Sequence, residues 1–403
     1  MRSCRFILSP SLCLTLLLTA CPSPDPMGDT DSATGSTGTT ATTDPTGDPA
    51  CEGVMVPAID ESTCAPLATD YQPRVNMSAD DMWDACISDD GTYHLIAGTP
   101  GSQARIEAFE MIADLLWRNG TPSADDFTAA RDQYTIMEGL ESRLVRREDL
   151  HYDAIPMSDW DPGVDSDKQC TVESNVTKYP DRCVGPASIS PIIVEAFDMG
   201  QMGQGDADVL AAKLEASLLW FLYLSIYKEA NTCATEVGKD CDSAWAYYTG
   251  GQDMSGGLGI ATYVKGMSAE SHARIWDGIL AVRCWRELYA DGGTYPLLDT
   301  LDQAGQDLFN QGWEQLDNAL HRGYALVVRD RMERLIESRC GAPEKVAADW
   351  AFLKVAGPAL DREATERDQA SAGKLKALWA MEDPTVTDLL GGIEALDAVF
   401  PCG

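Results

Sequence analysis

Four histidines, His94, His151, His272 and His321, stand among 64 acidic residues in this chain of 403. Cation binding is therefore the chemistry its composition favours. Two constellations have the right residue types. In the first, Asp159, Asp161, Asp165 and Asp167 alternate around Gly163. Aspartates spaced about a glycine turn can converge the six to eight oxygens that Ca²⁺ requires. The spacing departs from an EF-hand, because no ligand sits immediately before the glycine and the distal bidentate glutamate is missing. A solvated acidic loop held by Asx turns is the commoner fate of such a segment. In the second, Glu138 and Glu141 share a helix face and His151 follows. Carboxylates and a histidine projecting between helices are the ligand set of bundle-type iron sites. A charged helix face, with Arg143, Arg146 and Arg147 at its C-terminal end, is again the commoner outcome. Calcium ranks before iron, and the cofactor is left open.

Other chemistry is less well marked. Glu215 lies in the most apolar stretch of the chain, and Arg283 in a second helix rich in Ile and Leu. Both point inward, so they are expected to pair, directly or through Tyr223 or Tyr227, since an unpaired buried charge costs several kcal/mol. Trp245, Tyr247 and Tyr248 precede the glycine-rich stretch 250–259 and suit the wall of a groove for a sugar or peptide, although core packing accounts for such aromatics more often. No Walker loop, H-E-x-x-H pair or G-x-S-x-G elbow occurs. Whether the chain is an enzyme stays open, with the reading leaning against one.

These residues must be carried by helices. From Ser102 apolar positions recur at helical spacing until Asn119-Gly120, and Ser123 caps a second helix whose stripe runs from Phe127 to Leu144. Residues 152–187 read as a loop, and Ile189–Met199 as a short helix. Asp206 opens a helix to about Asn231 that is apolar nearly all round, the mark of a core element. Asp242 is expected to cap a short aromatic helix and Ser268 the next. Residues 299–339 read as one long helix with a kink at Gly312 or Gly323, and two or three helices fill 343–398. No convincing strand appears. The expected fold class is all-α, a multi-helix bundle or stacked hairpins over 101–403, with an irregular Cys-rich cap over 51–100 and a sub-bundle break near 292–299.

Thirteen cysteines include ten beyond residue 50. Short loops predict Cys51–Cys64, Cys170–Cys183 and Cys233–Cys241, and leave Cys86, Cys284, Cys340 and Cys402 unassigned. An oxidising compartment is implied by the N-terminus. Arg2 and Arg5 precede an apolar run from Phe6 to Leu18, too short to span a bilayer, and Leu18-Thr19-Ala20-Cys21 follows. This segment resembles the signal peptide and lipobox of bacterial lipoproteins. The resemblance covers residues 1–21. It implies removal of 1–20, lipidation of Cys21 and, with Pro22 next, an outer-membrane or cell-surface location rather than the inner membrane. Pro22 to Ala50 is Ser/Thr/Gly/Asp/Pro-rich and reads as a disordered stalk spanning roughly 30 Å.

The net charge of −34 becomes −36 when two arginines leave with residues 1–20. That excludes nucleic acid as a partner. The expectation is a membrane-anchored, non-enzymatic binding module for a protein, peptide or glycan. Two alternatives are kept: a metal-associated lipoprotein and a periplasmic enzyme with a dispersed site. The anchored helical layout of the first resembles imelysin-like lipoproteins, although the G-x-H-x-x-E motif of that family is absent.

Overall fold

Asp206 accepts the amides of Asp208 and Val209, and so starts α6 (Ala207–Thr235), the helix around which the others assemble. It is the one helix among the described residues long and apolar enough to cross a membrane. Most of that apolar stretch, 83%, is buried inside the protein. The structure, a computed structural model, describes residues 53–73 and 81–402, all within a compact unit spanning Gly47–Gly403. The lipobox and stalk lie outside the described residues.

Fourteen α-helices and no strand occur among the described residues, so the fold is all-α. Before α6 come α1 (Pro100–Leu116), α2 (Ala124–Tyr134), α3 (Leu140–Leu144), α4 (Glu173–Lys178) and α5 (Ser190–Gln201). After it come α7 (Asp240–Thr249), α8 (Ile260–Met267), α9 (Ala269–Leu288) and α10 (Gln303–Gly341). The chain ends with α11 (Val346–Ala356), α12 (Asp361–Arg367), α13 (Gln369–Trp379) and α14 (Val386–Val399). Helix α6 packs on α5, α7 and α11, and α10 runs along α9.

Several expectations are revised. The stripe from Phe127 to Leu144 is two helices, because Glu138 adopts a left-handed φ of 61°. Arg105 donates to the carbonyl oxygens of Glu138 and Gly139 and stabilises the break. Helix α10 runs unbroken through Gly312 and Gly323. Its glycines serve close packing: a Cβ at Gly323 would come within 2.6 Å of Ile275 on α9. Asp242 does not cap α7. Wholly buried, it accepts the amides of Ile96, Ala97 and Gly98 at 2.8–3.0 Å and the Tyr93 hydroxyl at 3.0 Å.

Disulfides Cys170–Cys183 and Cys233–Cys241 form as expected. Cys64 does not pair with Cys51, which lies outside the described residues; it pairs with Cys402, 338 residues away. Cys86 joins Cys284, and Cys340 is also disulfide-bonded. The irregular N-terminal segment is thus fastened at two places far along the chain, at Cys284 on α9 and at Cys402 beyond α14. The Gln315 side chain adds a third tie, exchanging hydrogen bonds with both the amide and the carbonyl of Tyr71 at 2.9 Å.

Candidate metal centre

Asp317 and His321 lie four residues apart on α10, so helical geometry stacks them on one face. Tyr223 and Tyr227 stand in the same relation on α6. The loop after α3 brings His151 between the two helices. Asp149 shapes that loop: its Oδ1 accepts the His151 amide at 3.0 Å and lies 2.6 Å from His151 Nδ1. The His151 ring rests on Tyr227 with centroids 3.8 Å apart.

Among the described residues, one group of three His, Cys, Asp or Glu side chains converges: His151, Asp317 and His321, each with a ligand atom within 4.8 Å of the others. His151 Nε2 is 3.5 Å from Asp317 Oδ1. His321 Nδ1 is 3.0 Å from the Asp317 carbonyl oxygen, which leaves Nε2 facing inward. The Tyr223 hydroxyl lies 2.9 Å from that atom and 3.4 Å from His151 Nε2. Glu363 Oε2 is 3.7 Å from His321 Nε2. Asp317 Oδ1 is buried and accepts no well-formed hydrogen bond.

The electrostatics favour positive charge here. Burial lowers the His151 pKa, but the carboxylates of Asp149 and Asp317 outweigh it and hold the imidazole at about 9. Burial likewise opposes ionisation of Asp317, yet the close imidazoles of His151 and His321, at 3.5 and 3.2 Å from its Oδ1, hold its carboxyl well below the usual range. Burial, then Asp317 and Asp149, push the Tyr223 phenol far up, so it is neutral.

His151 is the one residue of the predicted metal constellations in this group. The Glu138 side chain is 73% exposed and pairs with Arg143 at 3.1 Å. Glu141 lies on α3 outside the group, because the turn at Glu138 ends the shared helix face. The four loop aspartates do not converge on a cation. Asp159 binds Lys178 at 2.5 Å and the Tyr179 hydroxyl, and Asp161 accepts the Gly163 amide at 2.7 Å. Asp165 pairs with Lys168 at 2.5 Å and Asp167 with Arg146 at 3.2 Å. The buried Gln169 amide organises this loop, bridging the Asp161 backbone and the Val164 carbonyl oxygen.

Glu215 is buried, but its partner is Arg331 at 2.6 Å, not Arg283. Arg283 donates to the His94 carbonyl oxygen at 2.6 Å and approaches Glu287 at 3.6 Å. Trp245, Tyr247 and Tyr248 are all buried, and Tyr247 alone of the three lines the cavity bounded by the α1 N-terminus and the end of α6. Trp245 stacks on Tyr93 at 4.9 Å, and the Tyr248 hydroxyl lies 2.8 Å from His272.

Asp317 and His321 were missed by sequence reasoning. Their signal was a D-x-x-x-H spacing on the longest helix, in a chain with only four histidines. Comparison with protein-family models, curated proteins and solved structures gives no significant match.

Proposed function

We propose that this chain is a lipid-anchored, extracytoplasmic binding protein whose helical domain holds a divalent transition metal ion at His151, Asp317 and His321. The convergence of two imidazoles on one buried carboxylate oxygen, Asp317 Oδ1, which accepts no well-formed hydrogen bond, carries this reading. Two nitrogens and one oxygen suit Zn²⁺, whose tetrahedral sites take imidazole and carboxylate ligands. The 3.5 Å between His151 Nε2 and Asp317 Oδ1 approaches the ~3.3 Å ligand separation of a tetrahedron with bonds near 2.0–2.1 Å. Each imidazole is also oriented through its other nitrogen, His151 by Asp149 and His321 by a backbone carbonyl. Such outer partners set the tautomer and position of a ligating histidine. Tyr223 and Glu363 are the further oxygen donors at hand. Acylation at Cys21 followed by the stalk would present this centre away from the membrane.

The test is titration of the mature chain, purified free of metal, with Zn²⁺ in a calorimeter. One equivalent is expected to bind, and His321→Ala and Asp317→Ala are expected to abolish binding. Glu138→Gln should bind as the parent does. Absence of stoichiometric binding, or equal binding by the His321 and Asp317 variants, overturns the metal assignment. Acylated Cys21 in the N-terminal peptide of the membrane fraction tests the anchor.

A further inference from the structure

The loop carrying His151 has a second side. There, Arg146, Arg147, Glu148 and Leu150 line a cavity of about 640 Å³, bounded also by the N-terminus of α1, the end of α6 and the start of α7. The volume falls within the range that small-molecule sites occupy. Seven basic and five acidic side chains line it, whereas acids outnumber bases 64 to 30 in the whole chain. Basic residues are thus concentrated here, against the charge of the rest of the molecule.

Two of the arginines have positive charge to spare. Arg105 is buried, and all its hydrogen bonds go to neutral acceptors: the Glu138 and Gly139 carbonyl oxygens and the Tyr247 hydroxyl. Arg147, 5% exposed, has an unpartnered Nε and reaches its nearest carboxylate, Glu229, only at 3.6 Å. Glu229 is shared with Lys228, also at 3.6 Å. A buried guanidinium without a matched carboxylate carries a desolvation cost that an incoming anion would relieve.

The α1 N-terminus adds to this. Thr99, at the N-cap position, makes no side-chain cap, and its Oγ1 is buried without a hydrogen-bond partner. Gly98, Thr99, Gly101 and Ser102 all line the cavity. The first amides of a helix lack internal partners and favour a tetrahedral oxyanion.

We infer that this cavity binds a phosphorylated small molecule, with the phosphate held between Arg105, Arg147 and the α1 N-terminus. Planar guanidinium forks together with free amides match a phosphate better than a single carboxylate. The cavity leaves room for an attached group of sugar size.

The probe is glucose 6-phosphate, titrated at pH 7.5 in a calorimeter into the mature chain, with EDTA present so that the metal centre plays no part. Saturable binding is expected, with none for glucose and none for sodium chloride at equal ionic strength. Arg147→Gln should weaken binding at least tenfold. Should that variant fail to fold, the double variant Arg143→Gln/Arg146→Gln serves: its ion pairs are partly exposed and add little stability, and it should weaken binding several-fold. No saturable binding, equal binding by the folded variants, or tighter binding of citrate than of glucose 6-phosphate overturns the inference.

Discussion

Asp149 Oδ1 lies 2.6 Å from His151 Nδ1 and also accepts the His151 amide. One oxygen thereby sets both the turn of the loop and the orientation of the ring. Its removal should be felt at the proposed metal centre without removing a ligand. Asp149→Asn is expected to lower Zn²⁺ affinity by about 10–100-fold, the usual effect of losing an outer partner of a ligating histidine. Calorimetric titration of the variant against the parent checks this. Unchanged affinity would mean that His151 needs no orienting carboxylate.

Glu215 and Arg331 form a buried pair at 2.6 Å, with Asp349 at 3.3 Å and the Arg331 guanidinium 4.0 Å above the Phe352 ring. Glu215→Ala leaves that guanidinium short of one carboxylate in the core. The expected cost is about 3–5 kcal/mol, read as a lower urea midpoint. Glu287→Ala, which removes the partly exposed partner of Arg283, is expected to change stability by less than about 1 kcal/mol. A larger effect from Glu287 than from Glu215 would reverse the ranking of the two pairs.

These pairings mark the limit of what the sequence could tell. Local signals were legible. Ser123, Asp206 and Ser268 cap helices where expected, and the all-round apolar α6 is central. That Glu215 is buried could also be read, because its neighbours on α6 are apolar. Its partner could not, because α6, α9 and α10 each offer inward charges and only packing selects among them. The residues of the proposed metal centre escaped for the same reason. His151 was visible as a histidine near carboxylates, but Glu138 and Glu141 were placed on a continuous helix that a left-handed residue interrupts. Asp317 and His321 lie more than 160 residues further on. The Cys64–Cys402 bond was hidden too, since short spacings favour neighbouring cysteines and this loop closes through the whole fold.

Asp240, on the cavity wall, titrates in an accessible range. Burial, then the charge of Glu229, raise its carboxyl from 3.8 to about 6, while Thr232, Lys228 and Lys239 oppose the rise. A raised folded-state value means that the native state binds this proton more tightly than the unfolded chain does. The contribution of this group to stability is therefore greatest below pH 4, and falls as pH rises through about 6. Asp240→Asn should leave stability near pH 3.5 unchanged, and raise it at pH 7.5 by about 1 kcal/mol after allowance for solvent screening. Urea unfolding at the two pH values measures the difference. A variant less stable than the parent at pH 7.5 would contradict a strained, ionised Asp240.

Cys64–Cys402 and Cys170–Cys183 close loops of very different size, with sequence separations of 338 and 13 residues. In the chain-entropy account a cross-link stabilises by restricting the unfolded chain, and its effect grows with the logarithm of the loop length. That account gives about 6 kcal/mol for the long loop and about 3 kcal/mol for the short one. Cys64→Ser/Cys402→Ser is therefore expected to lower the unfolding midpoint more than Cys170→Ser/Cys183→Ser does. The long link also clamps the N-terminal segment to the chain end beside Phe400, whose ring stacks on His321 at 6.2 Å. Its loss should therefore weaken Zn²⁺ binding as well, whereas loss of the short link, in a separate small core with Ile155, should act on stability alone. Non-reducing peptide mapping that recovered Cys64 joined to a cysteine other than Cys402 would overturn both expectations.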